Sequence, residues 1–222
     1  MQKLNTFKPG SSEKSFVRWL PKLSLVLFLV VVFTALAEDV WFRESFAWDA
    51  PFIQAIHQVS NPLLDILMLF VTQTGEAGAI ATVAILVVWF AWKGRRIDAL
   101  SMITSFGGAA LLNTLLKLFF ARPRPLLLPH LVLETDFSFP SGHVTSSVAV
   151  YGFLAILLWR SKYRLWALFA GAWVLLVAIS RVYLGVHYPS DSLAALAFGS
   201  LWLMAVYAVH DRLAGWALKW MP

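Results

Sequence analysis

The stretch SRVYLGVHYPSD, residues 180–191, places a cation, an imidazole and a carboxylate between two strongly apolar runs. The three groups belong to Arg181, His187 and Asp191. Apolar runs that alternate with short polar segments of this kind recur along the chain, and they decide the fold class. We interpret the rest of the sequence as a scaffold that holds this group at a membrane surface.

The composition around this stretch is that of an integral membrane protein. Hydrophobic residues make up 59% of the 222 residues and charged residues 14%, with a mean hydropathy of +0.72. Soluble domains are about half apolar and about a quarter charged. The absence of cysteine excludes disulfides, thiol catalysis and thiolate metal sites. The net charge of +6 comes from short basic clusters between apolar runs, so no nucleic acid partner is expected.

The apolar runs predict an all-α fold, a polytopic membrane bundle of six transmembrane helices. They cover residues 23–37, 77–92, 99–120, 143–159, 165–182 and 191–210. Their lengths are near the ~20 residues that a helix needs to cross a bilayer. Residues 41–62 mix tryptophans, phenylalanines and acidic residues, which indicates a short interfacial segment. The pattern leaves open whether residues 63–71 extend the second helix or form a separate one.

The first run follows a basic tail, residues 1–22, and ends in small residues at 35–37. This arrangement is also typical of a cleavable signal peptide. Apolar character resumes at residues 40–42, which favours an uncleaved first helix. Residues 1–222 are interpreted as a single membrane domain.

The distribution of basic residues predicts the orientation. With six spans, the two termini and the turns at 93–98 and 160–164 share one side, which carries most of the 18 lysines and arginines. The positive-inside rule places that side, and hence both termini, in the cytoplasm. The outer side holds the remaining cations, which are Arg43, Lys117, Arg122, Arg124 and Arg181. Four of these lie at the ends of the third and fifth spans, where the rule gives no reason for them, so we expect them to have a function.

Three polar patches meet at the outer face in this topology: KLFFARPRP at 117–125, PSGH at 140–143, and the stretch at 180–191. Lys117, Arg124 and Arg181 supply three positive charges against one carboxylate. Such a site attracts phosphate, whose oxygens match the guanidinium fork, and repels divalent metal ions. We therefore predict a phosphate site that needs no metal or other cofactor.

The residues at the start of the fourth helix suit the same ligand. Ser141 and Gly142 lie where free backbone N–H groups can bind an anion. His187, when neutral and fixed in one tautomer by Asp191, is a candidate nucleophile. His143 is the candidate acid and base, which protonates the leaving oxygen and then activates water.

Each residue also has a structural interpretation. Asp191 could cap a helix, and Lys117 and Arg181 could extend towards the headgroups from helix ends. PSGH alone could be a turn. The joint occurrence of the three patches on one face favours the phosphate site.

Other polar residues of this face are assigned no chemical role. Arg122 is interpreted as a surface or structural charge. His130, Glu134 and Asp136, in the loop between the third and fourth spans, are expected to be solvated rather than catalytic.

The three patches resemble the signature of the type-2 phosphatidic acid phosphatase family. That signature is a lysine followed after six residues by Arg-Pro, then Pro-Ser-Gly-His, then Ser-Arg, five residues, His, three residues and Asp. The matching residues are Lys117, Arg124, residues 140–143 and residues 180–191, with no departure from the pattern. The segment from 117 to 191 is thus the catalytic signature region.

The resemblance implies a membrane phosphatase in which His187 is the nucleophile, His143 the acid and base, and Asp191 the orienting carboxylate. It implies phosphate ligation by Lys117, Arg124, Ser141, Gly142 and Arg181. Family members act on phosphatidic acid, phosphatidylglycerol phosphate, undecaprenyl diphosphate and similar lipids within the bilayer. Vanadium haloperoxidases share this site but are soluble, so the membrane spans argue against that activity.

Two alternatives remain open, a binding protein of a different class and a second kind of enzyme. A transporter or flippase would bind a lipid phosphate without cleaving it, and would need the cations but not His143. A phosphotransferase would pass the phosphoryl group to another hydroxyl compound in place of water.

Overall fold

The computed structural model describes residues 11–128 and 131–220, and every regular element in this part of the chain is helical. The predicted all-α bundle is therefore confirmed. His130 and the first ten residues of the basic tail lie outside the described residues. The helices are α1 (Ser11–Trp41), α2 (Asp49–His57), α3 (Pro62–Gln73), α4 (Ala77–Trp92), α5 (Arg96–Phe120), α6 (Gly142–Arg160), α7 (Arg164–Tyr183) and α8 (Pro189–Trp220).

Five helices are long and apolar enough to cross a membrane: α1, α5, α6, α7 and α8. Helices α3 and α4 are joined by a short break and bent by 43°. The predicted number of six spans is matched when this bent pair is counted as one. Residues 63–71, whose helical connection the pattern left open, belong to the separate helix α3.

The outer surface of these helices is apolar. Large side chains such as Leu23, Ile85, Val88, Leu118 and Trp166 are exposed. A soluble monomer rarely leaves large contiguous apolar patches open. The same surface suits the hydrocarbon of a bilayer, so the chain is a multi-pass membrane protein.

The core aligns the three helices that carry the signature residues. Ser105 of α5 donates to the Ala149 carbonyl at 2.8 Å, within a π-helical stretch of α6 at Val148–Gly152. Trp202 of α8 donates from Nε1 to the Ser105 carbonyl at 2.9 Å. At Gly108 the α5 backbone lies so close to this indole that a Cβ atom would be only 2.2 Å from Cζ2. These contacts fix the positions of α5, α6 and α8 relative to one another along the helix axes.

Helix α1 packs against α8 and against the loop before α6. The ring of Phe33 lies 5.6 Å from Phe198 and 6.3 Å from Phe139, between ring centroids. Residues 35–37, the cleavage site of the alternative interpretation, lie inside this continuous helix. The expected interfacial segment contains the short helix α2, which begins at the buried Asp49.

Backbone chemistry explains where the helices end beside the site. Helix α5 ends at Phe120, where Ala121 adopts a left-handed conformation and Pro123 follows. Helix α7 ends at Tyr183, and Gly185 has φ +75°, a conformation that favours glycine. Pro189 opens α8, because its missing N–H is not needed in a first turn. The connection between α7 and α8 is therefore short, and it holds His187.

Candidate active site

The first two patches are joined by a side chain that the signature does not contain. Asn113 lies one turn before Lys117 on α5. Its Nδ2 lies 3.2 Å from the Pro140 carbonyl and 3.2 Å from Oγ1 of Thr145, and donates to both. The PSGH segment is thereby held against the end of α5. This places Gly142 and Lys117 on the wall of the same cavity.

The hydrogen bonds of His187 assign its tautomer. The side chain is fully buried, and its Nε2 lies 3.1 Å from Nη1 of Arg124. Because a guanidinium can only donate, Nε2 must offer a lone pair and Nδ1 must carry the hydrogen. Burial, followed by the charges of Arg181, Arg124 and Lys117, holds the pKa of His187 well below its ordinary value. The imidazole is therefore neutral, with its lone pair directed towards the cations.

Asp191 shares the orientation of this imidazole with Ser138, which the sequence did not single out. Nδ1 of His187 lies 3.4 Å from Oδ2 of Asp191 and 3.3 Å from Oγ of Ser138, both long for hydrogen bonds. Ser138 in turn donates to Asp191 Oδ2 at 2.5 Å. The Tyr188 N–H also donates to Oδ2, at 2.9 Å. Asp191 thus fixes the first turn of α8 as well as the imidazole.

The expectation that Glu134 and Asp136 are solvated holds for Asp136, whose side chain is 53% exposed, and is wrong for Glu134, at 19%. Neither ion-pairing role was predicted. Glu134 pairs with Arg181 and lies 3.5 Å from Arg124, and Asp136 pairs with both Arg124 and Lys117. The physical reason is that buried cations require partners. Burial favours the neutral form of Asp136, but hydrogen bonds and charges from Lys117 and Arg124 outweigh it and lower its pKa to about 2.

The expected charge balance of the site changes accordingly. The sequence predicted three cations against the single carboxylate of Asp191, but two further carboxylates reach the cations from the α5–α6 loop. A bound phosphate would therefore replace these carboxylates rather than enter a site of uncompensated positive charge.

Two buried polar atoms beside the cations lack a hydrogen-bond partner among the described residues. They are Oγ of Ser141 and Nε of Arg181. Both residues were predicted to bind phosphate. A cavity of about 240 Å³ is lined by Lys117, Gly142 and His143 together with acidic side chains, and Ser141 and Arg181 adjoin its lining residues Gly142 and Glu134 without lining it themselves. This cavity has the donors and the space for a phosphoryl group.

His143, the predicted acid and base, lies on the wall of this cavity. Its Nε2 is 3.2 Å from Oε2 of Glu76, the last residue of the break between α3 and α4. The sequence analysis did not single out Glu76. All eight residues expected in the site thus belong to one connected group of ion pairs, hydrogen bonds and cavity walls.

Arg122, interpreted from the sequence as a surface or structural charge, is a buried structural charge. It donates from Nη1 to Asp191 Oδ1 at 2.5 Å and to Ser190 Oγ at 2.8 Å, and from Nη2 to Asp49 Oδ2 at 3.1 Å. Asp49 accepts from the Ser190 N–H at 3.0 Å. The guanidinium also lies 4.0 Å from the ring centroid of Tyr188. Arg122 therefore holds the side of Asp191 that faces away from His187.

A second cleft, of about 470 Å³, lies beyond Arg122. It is lined by residues of the α1–α2 connection and by Phe120, Leu126, Leu127 and Tyr188. None of the eight residues expected in the site lines it. It adjoins the predicted site through Arg122 and through Tyr188, both of which donate to the Asp191 carboxylate.

Comparison with known proteins identifies relatives of the chain. The profile of the PAP2 superfamily matches residues 98–214. Phosphatidylglycerophosphatase B of Bacillus subtilis (strain 168) is 31% identical over 198 residues, which cover 86% of this chain and 95% of the relative. Undecaprenyl-diphosphatase BcrC of the same organism is 32% identical over 154 residues, 64% of this chain and 74% of that protein.

A solved structure has the same architecture. It is the crystal structure of a transmembrane PAP2 type phosphatidylglycerolphosphate phosphatase from Bacillus subtilis, which superposes with a TM-score of 0.74 at 31% identity. The match covers 86% of this chain and 96% of that chain. The sequence comparison and the structural comparison therefore agree.

The position of Arg122 predicts that it orients Asp191. Replacing it with glutamine removes both ion pairs, and we expect kcat for phosphate release from a lipid phosphate to fall roughly hundredfold, because misplaced catalytic groups cost about this much. Arg122→Lys retains the charge but loses the planar guanidinium that donates to both carboxylates, so we expect kcat to fall about tenfold. KM should change little in both variants.

The matched control is Arg43→Gln, which removes an exposed cation from the wall of the 470 Å³ cleft. This variant should keep the kcat of the wild type. Thermal unfolding in detergent separates loss of fold from loss of orientation. An Arg122→Gln protein that is folded and has the kcat of the wild type contradicts the assignment.

Proposed function

The chain belongs to the PAP2 superfamily, and we propose that it hydrolyses a lipid phosphate monoester or diphosphate through a phosphohistidine intermediate at His187. It is a membrane-spanning phosphatase, as its relatives are named phosphatases and its helices are apolar. The assignment of His187 as nucleophile is supported by the orientation of its ring. Nε2, which has the lone pair, faces the cations, while Nδ1 faces Asp191 and Ser138.

The names of the relatives define the candidate substrates. One relative is named for phosphatidylglycerol phosphate and another for undecaprenyl diphosphate. Together with phosphatidic acid, these are the lipids that we propose for this chain, approached from within the bilayer. Residues 1–222 would act as one phosphatase domain.

The first chemical step forms a bond between His187 Nε2 and phosphorus. Lys117, Arg124 and Arg181 neutralise the non-bridging oxygens in place of Glu134 and Asp136, and Ser141 and the N–H of Gly142 donate to them. The bond from phosphorus to the lipid oxygen breaks with its electron pair on oxygen. His143 supplies the proton to this leaving oxygen. Asp191 accepts the Nδ1–H bond of the imidazolium that forms.

The second step returns the enzyme to its starting state. His143, now neutral, takes a proton from a water molecule, whose oxygen attacks phosphorus as the phosphorus–nitrogen bond breaks. Inorganic phosphate leaves, and His187 recovers its lone pair. Glu134 and Asp136 can then return to the cations. No step requires a metal ion.

We propose that both termini face the cytoplasm and that the site opens on the outer side of the cell membrane. The support is the distribution of lysine and arginine, which are concentrated at the opposite end of the bundle from the site. The α6–α7 turn, with Ser161 and Lys162, would then be cytoplasmic. The α1–α2 connection, with Ser45, would be external.

The catalytic proposal predicts that His187→Ala loses phosphate release. We expect kcat to fall at least about thousandfold, since removal of a nucleophile leaves only binding and charge stabilisation. His143→Ala should also be severely impaired, which a binder or transporter would not require. The measurement is inorganic phosphate released from phosphatidic acid and from a lipid diphosphate in detergent, with chelator and without any acceptor alcohol.

His57→Ala provides the control, because His57 is exposed on α2 and lies outside the site. It should retain the rate of the wild type. Wild-type phosphate release by His187→Ala contradicts the nucleophile assignment. Strict dependence on added magnesium contradicts the metal-independent mechanism, and release only in the presence of an acceptor favours phosphotransfer.

The orientation predicts which positions react with an impermeant maleimide. The chain has no cysteine, so Ser45→Cys and Ser161→Cys each introduce a single exposed thiol. In intact spheroplasts, Ser45→Cys should be labelled, and Ser161→Cys should be labelled only after permeabilisation. The reverse pattern contradicts the proposed orientation.

A further inference from the structure

The break between α3 and α4 is held rigidly beside the catalytic group. Nη1 of Arg181 donates to Thr72 Oγ1 at 2.7 Å. Tyr151 of α6 donates to the Thr74 carbonyl at 2.7 Å, and Trp173 of α7 donates to Thr74 Oγ1 at 2.8 Å. Side chains from α6 and α7 therefore fix this elbow, which is defined here as residues 73–76.

The elbow approaches the start of α6 closely. A Cβ atom at Gly75 would lie 3.0 Å from Cγ1 of Val177 and 3.1 Å from both the His143 carbonyl and Oγ of Ser147. A side chain here would require the elbow or its neighbours to shift by a few tenths of an ångström. The next residue, Glu76, is thus held in a fixed position beside His143.

Glu76 lies at the open side of the 240 Å³ cavity. Its Oε2 is 3.2 Å from Nε2 of His143, and 62% of its side chain is exposed. The other two carboxylates of the cavity, Glu134 and Asp136, have arginine or lysine partners. His143 is the one ion-pair partner of Glu76 in the described part of the chain, and it is charged only when protonated.

Three carboxylates thus surround the cavity, but they face different parts of a substrate. Glu134 and Asp136 hold the cations that would bind the transferred phosphoryl group. Glu76 stands beside His143, which protonates the leaving oxygen. Its negative charge therefore lies on the side of the leaving group. Glu76 forms no ion pair with the three cations in the described part of the chain, although it interacts with Arg181 through space.

We propose that Glu76 is a specificity-determining residue that favours phosphate monoesters over diphosphates by repelling an anionic leaving group. The proposal rests on the function proposed above for the same site. It assigns a substrate preference to a residue outside the three signature patches.

The two substrate classes differ in the charge of the leaving group. In a monoester, the bond between phosphorus and the lipid oxygen breaks, that oxygen takes the proton of His143, and a neutral alcohol leaves. In a diphosphate, His187 attacks the terminal phosphorus and the bridging oxygen takes the proton. The leaving group is then a lipid monophosphate that still carries negative charge. Only the second leaving group is repelled by a carboxylate at this position.

The experiment compares farnesyl phosphate with farnesyl diphosphate, which have the same lipid chain. Initial rates of phosphate release give kcat/KM for each substrate, in the wild type and in Glu76→Gln. The amide keeps the shape and can still hydrogen-bond to His143. We expect Glu76→Gln to raise kcat/KM for the diphosphate about tenfold relative to the monoester, a modest effect because the carboxylate is partly screened by water.

Two variants act as controls. Glu76→Asp retains the charge and should retain the substrate ratio of the wild type. Glu44→Gln removes another exposed carboxylate, on the α1–α2 connection, and should also leave the ratio unchanged. A ratio in Glu76→Gln within about twofold of the wild type, or an equal loss with both substrates, overturns the proposal.

The dependence of the substrate preference on ionic strength gives a second test, which uses only the wild-type protein. Added salt screens an exposed carboxylate, because the Debye length falls from about 10 Å at 0.1 M to about 3 Å at 1 M. The preference of the wild type for the monoester should therefore decrease as salt is raised. A preference that is constant or increases overturns the role of Glu76. A wild type that releases phosphate from neither substrate instead refutes the function proposed for the whole site.

Discussion

Three cations held inside an apolar bundle impose the constraint on which the rest of this structure depends. Lys117 and Arg181 are almost wholly buried, and an unpaired charge in such a position is strongly destabilising. The chain meets the constraint with Glu134 and Asp136 from the α5–α6 loop. The loop is thereby tied to α5 and α7, and in the site without a substrate each of the three cations has a carboxylate partner. A phosphate that enters has to compete with these carboxylates, and when it leaves they can take its place.

The same need for partners applies to Asp191, the carboxylate next to His187. Asp191 is fully buried and is satisfied by Ser138, by the Tyr188 N–H and by Arg122. Arg122 in turn requires Asp49, which brings α2 against the start of α8. The short helix after the first span is thus connected to the orientation of His187 through two ion pairs. Electrostatic pairing, rather than apolar packing alone, defines this end of the bundle.

The sequence was sufficient for the membrane class and the helical fold, since hydropathy is a local property. The signature spacing predicted eight site residues, which the structure brings close together. The sequence was not sufficient for the partners of those residues. Asp49, Ser138 and Glu76 become neighbours of the site only through the path of loops and the bend between α3 and α4. The ion pairs of Glu134 and Asp136 were not predicted, because a proline-rich loop gives no sign of turning towards the cations. Hydropathy also could not separate α3 from α4, as both helices are apolar and the break between them contains no proline.

The most direct test of the central claim is a structure of the protein with orthovanadate, which mimics a phosphoryl group in transfer. The account predicts vanadium bonded to Nε2 of His187, its equatorial oxygens on Lys117, Arg124 and Arg181, and the carboxylates of Glu134 and Asp136 displaced from these cations. Vanadate bound elsewhere, or Glu134 and Asp136 still paired with the cations while vanadate occupies the cavity, would contradict it.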